Sequence, residues 1–325
     1  MLSQIDRLQA FCHSRGMQND VAHSSYTDTF YLRDMGAPDP YPVLQGTEEA
    51  DVCIIGGGLA GLNTALGLLE RGKSVVLVEQ NRIAWGASGR AAGFVAKGFA
   101  AGQAALVKKL NLEKARELVN MTKSARALIK KRINDFNIEC GPVRDGVLTV
   151  TWRDRPDEIQ KYVDDANENF DLGFEYWTRD QVRAHCKTDK YYEGVYSKND
   201  FQFNPLRYTH GLAAKVAQLG GKIFEESRAT SIDRDGAGWK VTTSNGVVKS
   251  QYVVSCGAIY ANGLDKRLEY AAFPVRTYSM STEPIDADVL KSAIDTPHAI
   301  YDMRFCSDYY RILPGNRLLW GGRVS

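Results

Sequence analysis

The sequence predicts an α/β chain in which a doubly wound, mostly parallel sheet is interleaved with a second domain built on antiparallel sheet. Three observations predict it. A β-α-β unit fills the stretch from Val52 to Val78, the compact crossover between neighbouring parallel strands. Asp235-Gly236 and Asn245-Gly246 separate short apolar runs, the signature of hairpin turns in an antiparallel meander. A length of 325 residues exceeds the usual size of one core, so two domains are expected.

Val52-Cys53-Ile54-Ile55 is an apolar run ending in glycine, as a buried parallel strand does. Residues 59–71 carry apolar side chains at helical spacing, and Gly72 stops the helix. Ser74 to Val78 is the second strand. Between strand and helix, Gly56-Gly57-Gly58-Leu59-Ala60-Gly61 contains G-x-G-x-x-G at Gly56, Gly58 and Gly61. Gly56 makes the tight turn, Gly58 admits a pyrophosphate close to the main chain, and Gly61 lets the helix pack on the strand. The helix start, at Leu59 and Ala60, offers unpaired amides and a partial positive charge. Glu79, followed by Gln80, closes the second strand where a carboxylate accepts from adenosine ribose hydroxyls and repels a 2′-phosphate. Alone the glycine pattern is weak; in this strand–loop–helix–strand–acid frame it specifies a Rossmann-like dinucleotide site.

FAD and NAD share that loop. What favours FAD is a second small-residue stretch, Gly86-Ala87-Ser88-Gly89-Arg90-Ala91-Ala92-Gly93. Small residues let another backbone segment pass close to a flat or phosphorylated ligand. Ser88 brings a hydroxyl and Arg90 a charged fork. A nicotinamide dehydrogenase has no need of this loop.

Elsewhere, closely spaced prolines in Gly36-Ala37-Pro38-Asp39-Pro40-Tyr41-Pro42 predict an extended, helix-free arm over residues 1–49. Residues 103–136 read as helical, 146–152 as a strand, 155–170 and 178–185 as helices. Asn204-Pro205 opens a helix ending near Gly220-Gly221. Strands are expected at 222–226, 228–233, 238–243, 251–255, 274–283, 309–313 and 318–320. The domains are assigned as 50–140 with 200–265, and 141–199 with 266–325.

Composition narrows the function classes. A formal net charge of +2 gives no electrostatic case for nucleic acid or membrane. The six cysteines (Cys12, Cys53, Cys140, Cys186, Cys256 and Cys306) are scattered and show no metal spacing. No apolar run long enough for a membrane span or a secretory signal occurs, so a cytoplasmic location is expected. His13, His23, His185, His210 and His298 form no pattern. Lys108-Lys109 and Lys130-Lys131-Arg132 read as solvated helix faces.

From Ala50 to Val95, with its GGGLAGL and GASGRAAGF segments, the chain resembles the D-amino-acid oxidase superfamily of FAD-dependent oxidoreductases. It is most similar to the gamma-glutamylputrescine oxidoreductase type, alongside glycine and sarcosine oxidases. The resemblance continues at Phe203-Asn204-Pro205, at Val253 to Ala258, at Ser281-Thr282-Glu283-Pro284, at Tyr309-Tyr310-Arg311 and at Arg317 to Gly322. It implies oxidation of the C–N bond of an amine or amino acid, with Ala229-Thr230 near the adenine, Gly257 near the cofactor, and an antiparallel substrate domain over the flavin. Tyr278, Tyr309, Tyr310 and Arg311 lie on strands of that domain and are the substrate candidates. No catalytic base and no metal ligand is identified.

Three departures stand out. The second-loop histidine that attaches flavin covalently in some relatives is matched here by Arg90, which implies non-covalent FAD. The strand expected to carry an oxygen-activating lysine reads Arg317-Leu318-Leu319-Trp320-Gly321, which leaves the electron acceptor open between O2 and another molecule. Relatives also continue past Ser325, so the sequence is expected to be a fragment of a longer chain. The competing readings are an inactive or incomplete flavoprotein and a nicotinamide-dependent dehydrogenase.

Overall fold

A computed structural model describes residues 26–261, 263–271, 275 and 277–324. Cys12, His13, His23 and the first half of the expected arm lie outside the described residues, as do Pro274 and Arg276 of the strand expected at 274–283. The strands are β1 Gly46–Ile55, β2 Val75–Val78, β3 Phe94–Val95, β4 Arg144–Val150, β5 Phe174–Trp177, β6 Gly194–Gln202 and β7 Lys222–Phe224. They continue as β8 Ala229–Asp235, β9 Gly238–Thr243, β10 Gly246–Ser255, β11 Thr277–Ser281, β12 Ala299–Asp302, β13 Tyr309–Leu313 and β14 Arg317–Val324. The helices are α1 Phe30–Met35, α2 Leu59–Leu69, α3 Gly102–Leu110, α4 Leu112–Asp135, α5 Pro156–Phe170, α6 Arg179–His185, α7 Pro205–Gln218, α8 Lys266–Ala271 and α9 Ala287–Ala293.

Two sheets organise them. The first runs β7-β2-β1-β10-β9-β8. Its first four strands are mutually parallel, and β10, β9 and β8 form an antiparallel meander through the two predicted turns. Val52 to Ile55 and all of β2 are buried, as a parallel strand covered on both faces must be. On one face α2 packs against α7, with Leu62, Ala65 and Leu66 meeting Leu206, Leu212, Ala213 and Val216 in one apolar cluster. Burying each of the larger side chains stabilises by about 1.5–3 kcal/mol.

The second sheet runs β11-β14-β13-β12-β4-β6-β3, with β5 also on β6. Every pairing in it is antiparallel except β12 with β4. It takes in Phe94–Val95 and β6 through Gln202, so its strands cross the boundaries expected from sequence. No helix of the described residues is long and apolar enough to cross a membrane.

One local expectation is corrected. The arm contains a helix, α1, because the prolines begin only after Gly36; Thr29 caps it, accepting from Leu32 N. The stretch expected to be helical over 103–136 is so, as two helices divided at Asn111, whose φ of +111° is not helical and whose side chain caps α4 by accepting from Lys114 N.

Candidate dinucleotide site

At the carboxyl ends of β1 and β2 the chain brings both glycine-rich segments together. Gly56 turns off β1 with φ +113°, a conformation that favours glycine. A Cβ there would lie 2.7 Å from Cys256 O and 3.0 Å from Gly257 N, so Gly56 also admits the turn after β10. At Gly61 a Cβ would lie 1.9 Å from Gly56 O, which fixes how closely α2 sits on β1. Gly58 is different. A Cβ there would meet, within 4 Å, only Ser88, at 2.9 Å from its hydroxyl oxygen. Gly58 is thus the one glycine of the three whose open side faces a polar group rather than packed main chain.

The Ser88 hydroxyl accepts from Leu59 N at 3.0 Å, which ties the second loop to the start of α2 and leaves the hydroxyl hydrogen available. The first-turn amides of Ala60 and Gly61 have no acceptor among the described residues. Glu79 meets the same loop at Gly57. Its Oε2 accepts from Gly57 N at 2.7 Å and its Oε1 from Asn81 N at 2.9 Å. Burial pushes this carboxyl's pKa up, while those amide bonds pull it down. Each oxygen keeps a lone pair for a further donor. Gln80, next in the chain, is half-buried.

The rest of the second loop is packed on protein. Ala87–Gly89 forms a single 3-10 turn, and a Cβ at Gly89 would lie 2.3 Å from Ala84 O. Gly93, at φ +77°, is pressed against Phe203 O. Arg90 is anchored at the rim of this loop: its Nε donates to Gly86 O at 3.1 Å and its Nη2 to Tyr260 Oη at 3.0 Å, with the guanidinium over Trp85. Tyr260 follows Gly257 in the turn beyond β10, so that turn leans over the second loop. Ala229 is buried in the apolar cluster containing Val78, and Thr230 is exposed.

The four substrate candidates do not converge. Along β13 side chains alternate, so Tyr310 faces away from Tyr309 and Arg311. Tyr310 is buried, stacked 4.4 Å from Trp320 and hydrogen-bonded to Tyr191 Oη at 3.1 Å. Arg311 is buried too and donates to Gln202 Oε1, Tyr31 Oη and Phe203 O. Tyr310 Oη and the terminal nitrogens of Arg311 are thus engaged by protein groups, while Arg311 Nε has no partner among the described residues. Tyr309 lies half-buried against Phe94 and over Gly321, and Tyr278 is exposed on the edge strand β11.

Sequence reasoning missed what holds the site from behind. Glu225, 1% exposed, accepts from Ile83 N at 2.6 Å, Arg82 Nε at 2.7 Å and Tyr41 N at 2.9 Å. It joins the arm, the segment before the second loop and the end of β7. The readable signal was an acid immediately after the apolar Ile223-Phe224. Tyr26 adds a second tie, donating to Ile83 O at 2.8 Å and lying 2.9 Å from His210 Nε2.

Burial, with Arg82 nearby, lowers the His210 pKa from 6.5 to about 4. The folded state therefore refuses a proton that the unfolded chain accepts below pH 6.5, and stability falls as pH drops from 6.5 towards 4. Urea unfolding is expected to show a loss of about 2 kcal/mol between pH 7 and pH 5 from this group. His210→Gln should flatten that part of the acid limb; an unchanged slope would assign it to other groups.

Residues 51–324 match the family model described as FAD dependent oxidoreductase, DAO. The chain belongs to the DAO family of FAD-dependent oxidoreductases. This DAO-family chain is 31% identical over 312 residues to the probable oxidoreductase OrdL of Haemophilus influenzae, an alignment covering 94% of this chain and 72% of that protein. It is 28% identical to gamma-glutamylputrescine oxidoreductase of Escherichia coli, covering 93% and 71%. Among solved structures, glycine oxidase from Geobacillus kaustophilus superposes with a TM-score of 0.64 at 20% identity, covering 85% of this chain and 72% of that one. L-amino acid deaminase from Proteus vulgaris gives 0.66 at 18%, covering 93% and 74%. The chain is thus an FAD-dependent enzyme of mixed α/β fold.

Proposed function

We propose that this enzyme oxidises the C–N bond of an amine or amino acid, with non-covalent FAD held where the two glycine-rich segments meet. The observation that carries the cofactor site is the grouping of bare Gly58, the unaccepted amides of Ala60 and Gly61, and the Ser88 hydroxyl at one helix start. Those groups fit a pyrophosphate. Glu79 has lone pairs left for ribose hydroxyls, Gly56 and Gly257 let the surrounding turns close up, and Ala87, Gly89 and Gly93 keep the second loop slim. The substrate class rests on the relatives, among them the gamma-glutamylputrescine oxidoreductase.

In this reading the six-stranded sheet forms the FAD-binding part and the eight-stranded sheet the substrate part. When bound, FAD supplies the acceptor for a hydride from the carbon next to a neutral amine, and water hydrolyses the resulting imine. The half-buried ring of Tyr309 and the exposed ring of Tyr278 are the remaining aromatic candidates for a cationic or neutral amine. The electron acceptor is O2 or another molecule. Free thiols at Cys53, Cys140, Cys186, Cys256 and Cys306, three of them buried, favour a reducing, cytoplasmic setting.

Anaerobic addition of amines and amino acids to the FAD-loaded protein tests this. At least one substrate of the class is expected to bleach the flavin band. A panel of polyamine conjugates, N-methyl amino acids and simple amino acids that leaves it unbleached, in protein reducible by dithionite, would overturn the substrate class. Glu79→Gln should weaken FAD binding about 10- to 100-fold, the worth of a charge-assisted hydrogen bond, as read by flavin fluorescence titration. Unchanged affinity would remove Glu79 from the site.

A further inference from the structure

Arg311 is a buried cation without a carboxylate. It is 5% exposed, and its partners are all neutral: Gln202 Oε1 at 3.1 Å, Tyr31 Oη at 2.9 Å and Phe203 O at 2.9 Å. Its Nε is buried with no partner at all. Among the described residues no ion pair reaches it; nearby Asp34 is taken by Arg207 at 3.0 Å. Burying an unpaired charge is costly, so it calls for a compensating negative group. The place where this one sits is specific. Its Nη2 lies 3.0 Å from where a Cβ of Gly93 would be, directly behind the end of the second glycine-rich loop. Tyr31, which accepts from Arg311, itself donates to Ala92 O at 3.2 Å. The guanidinium therefore lies behind the loop at Gly93 and reaches Ala92 through the Tyr31 hydroxyl.

The strand that continues this loop shows the same imbalance. Beyond Phe94–Val95, Lys97 and Arg126 share the single carboxylate of Asp200, at 3.7 and 2.8 Å, with Lys97 and Asp200 buried. Positive charge is thus in excess at both ends of β3.

We propose that Arg311 is a positioning residue whose unneutralised charge acts through the Ala92–Gly93 loop on the bound flavin, favouring its negatively charged reduced form. This rests on the FAD site proposed above. The decisive variant is Gln202→Glu. It keeps an oxygen for Arg311 Nη1 but supplies the missing negative charge, so it neutralises the cation without deleting it. With FAD bound, its two-electron midpoint potential is expected to fall by about 30 mV or more, a tenfold loss in relative affinity for the reduced flavin. Arg311→Lys should stay near the wild-type potential, and Arg311→Met should fall with Gln202→Glu.

A merely structural Arg311 predicts otherwise: Gln202→Glu would leave the potential unmoved, and Arg311→Lys would behave like Arg311→Met in stability alone. An unmoved potential in Gln202→Glu overturns the proposal even if Arg311→Met does not fold. Failure of the wild-type protein to hold FAD would instead strike the underlying site, and it is read separately, from the absence of a flavin spectrum.

Discussion

Gly61→Ala is expected to abolish FAD binding and to lower the stability of the chain by about 3 kcal/mol or more, the upper range for overpacking. The new methyl carbon would stand 1.9 Å from Gly56 O and 3.3 Å from Ile54 Cγ2. The first of these is main chain at the turn off β1, so no side-chain rotation relieves it. Relief requires α2 to swing away from β1, which pulls Leu62, Ala65 and Leu66 from their cluster and moves the helix start away from Ser88. Gly67→Ala in the same helix is the control. Its methyl carbon would meet nothing nearer than Arg71 Nη1 at 3.4 Å, and helix propensity should stabilise it by about 0.5–1 kcal/mol. Urea unfolding of both, with FAD retention on gel filtration, separates the two cases. A Gly61→Ala protein that unfolds like wild type and keeps its flavin would contradict the packing described for the first crossover.

Glu225→Ala should cost about 3–5 kcal/mol, because it strips one side from a buried ion pair. Arg82 would stay largely buried with its charge unmatched, and the amides of Ile83 and Tyr41 would lose their acceptor. Those amides belong to the segment before the second loop and to the arm, so the loss reaches the cofactor site as well as the fold. Glu225→Gln, which retains one acceptor oxygen, is expected to fall between wild type and Glu225→Ala. Denaturant midpoints check the order. Equal stability of all three would mean that Glu225 is solvated and not the tie described.

The parts of this fold legible in sequence are those fixed by neighbours in the chain. The β-α-β unit, its glycines and Glu79 lie within one crossover, and their geometry follows from turn and helix chemistry. The meander at 229–255 was readable for the same reason, through its two tight turns. What escaped depends on partners distant in sequence. β6 carries Lys198-Asn199-Asp200 in its middle, which breaks any apolar alternation; Asp200 is buried there because Lys97 and Arg126 come to meet it. β12 is four residues long and is held by β4, far upstream. Tyr310 and Arg311 look like pocket residues in isolation, yet Tyr191, Trp320, Gln202 and Tyr31 occupy them. Glu225 and the arm tyrosines have no local motif, since their role exists only once the arm lies over the second loop.

In the proposed complex a dinucleotide diphosphate rests against the open side of Gly58 at the start of α2. Flavin fluorescence titration of the wild-type protein and of Gly58→Val tests it most directly. Gly58 has extended backbone, φ −90° and ψ −173°, which valine adopts without strain; the one adjustment asked of the fold is that Ser88, whose hydroxyl oxygen a Cβ would approach to 2.9 Å, turns aside and gives up its bond from Leu59 N. The variant side chain would fill the space beside Ser88 that the phosphates require. Wild type is expected to bind FAD saturably and stoichiometrically and Gly58→Val to lose about 100-fold or more, with the FAD-free variant still unfolding cooperatively in urea. A folded Gly58→Val protein that binds FAD as tightly as wild type would contradict it.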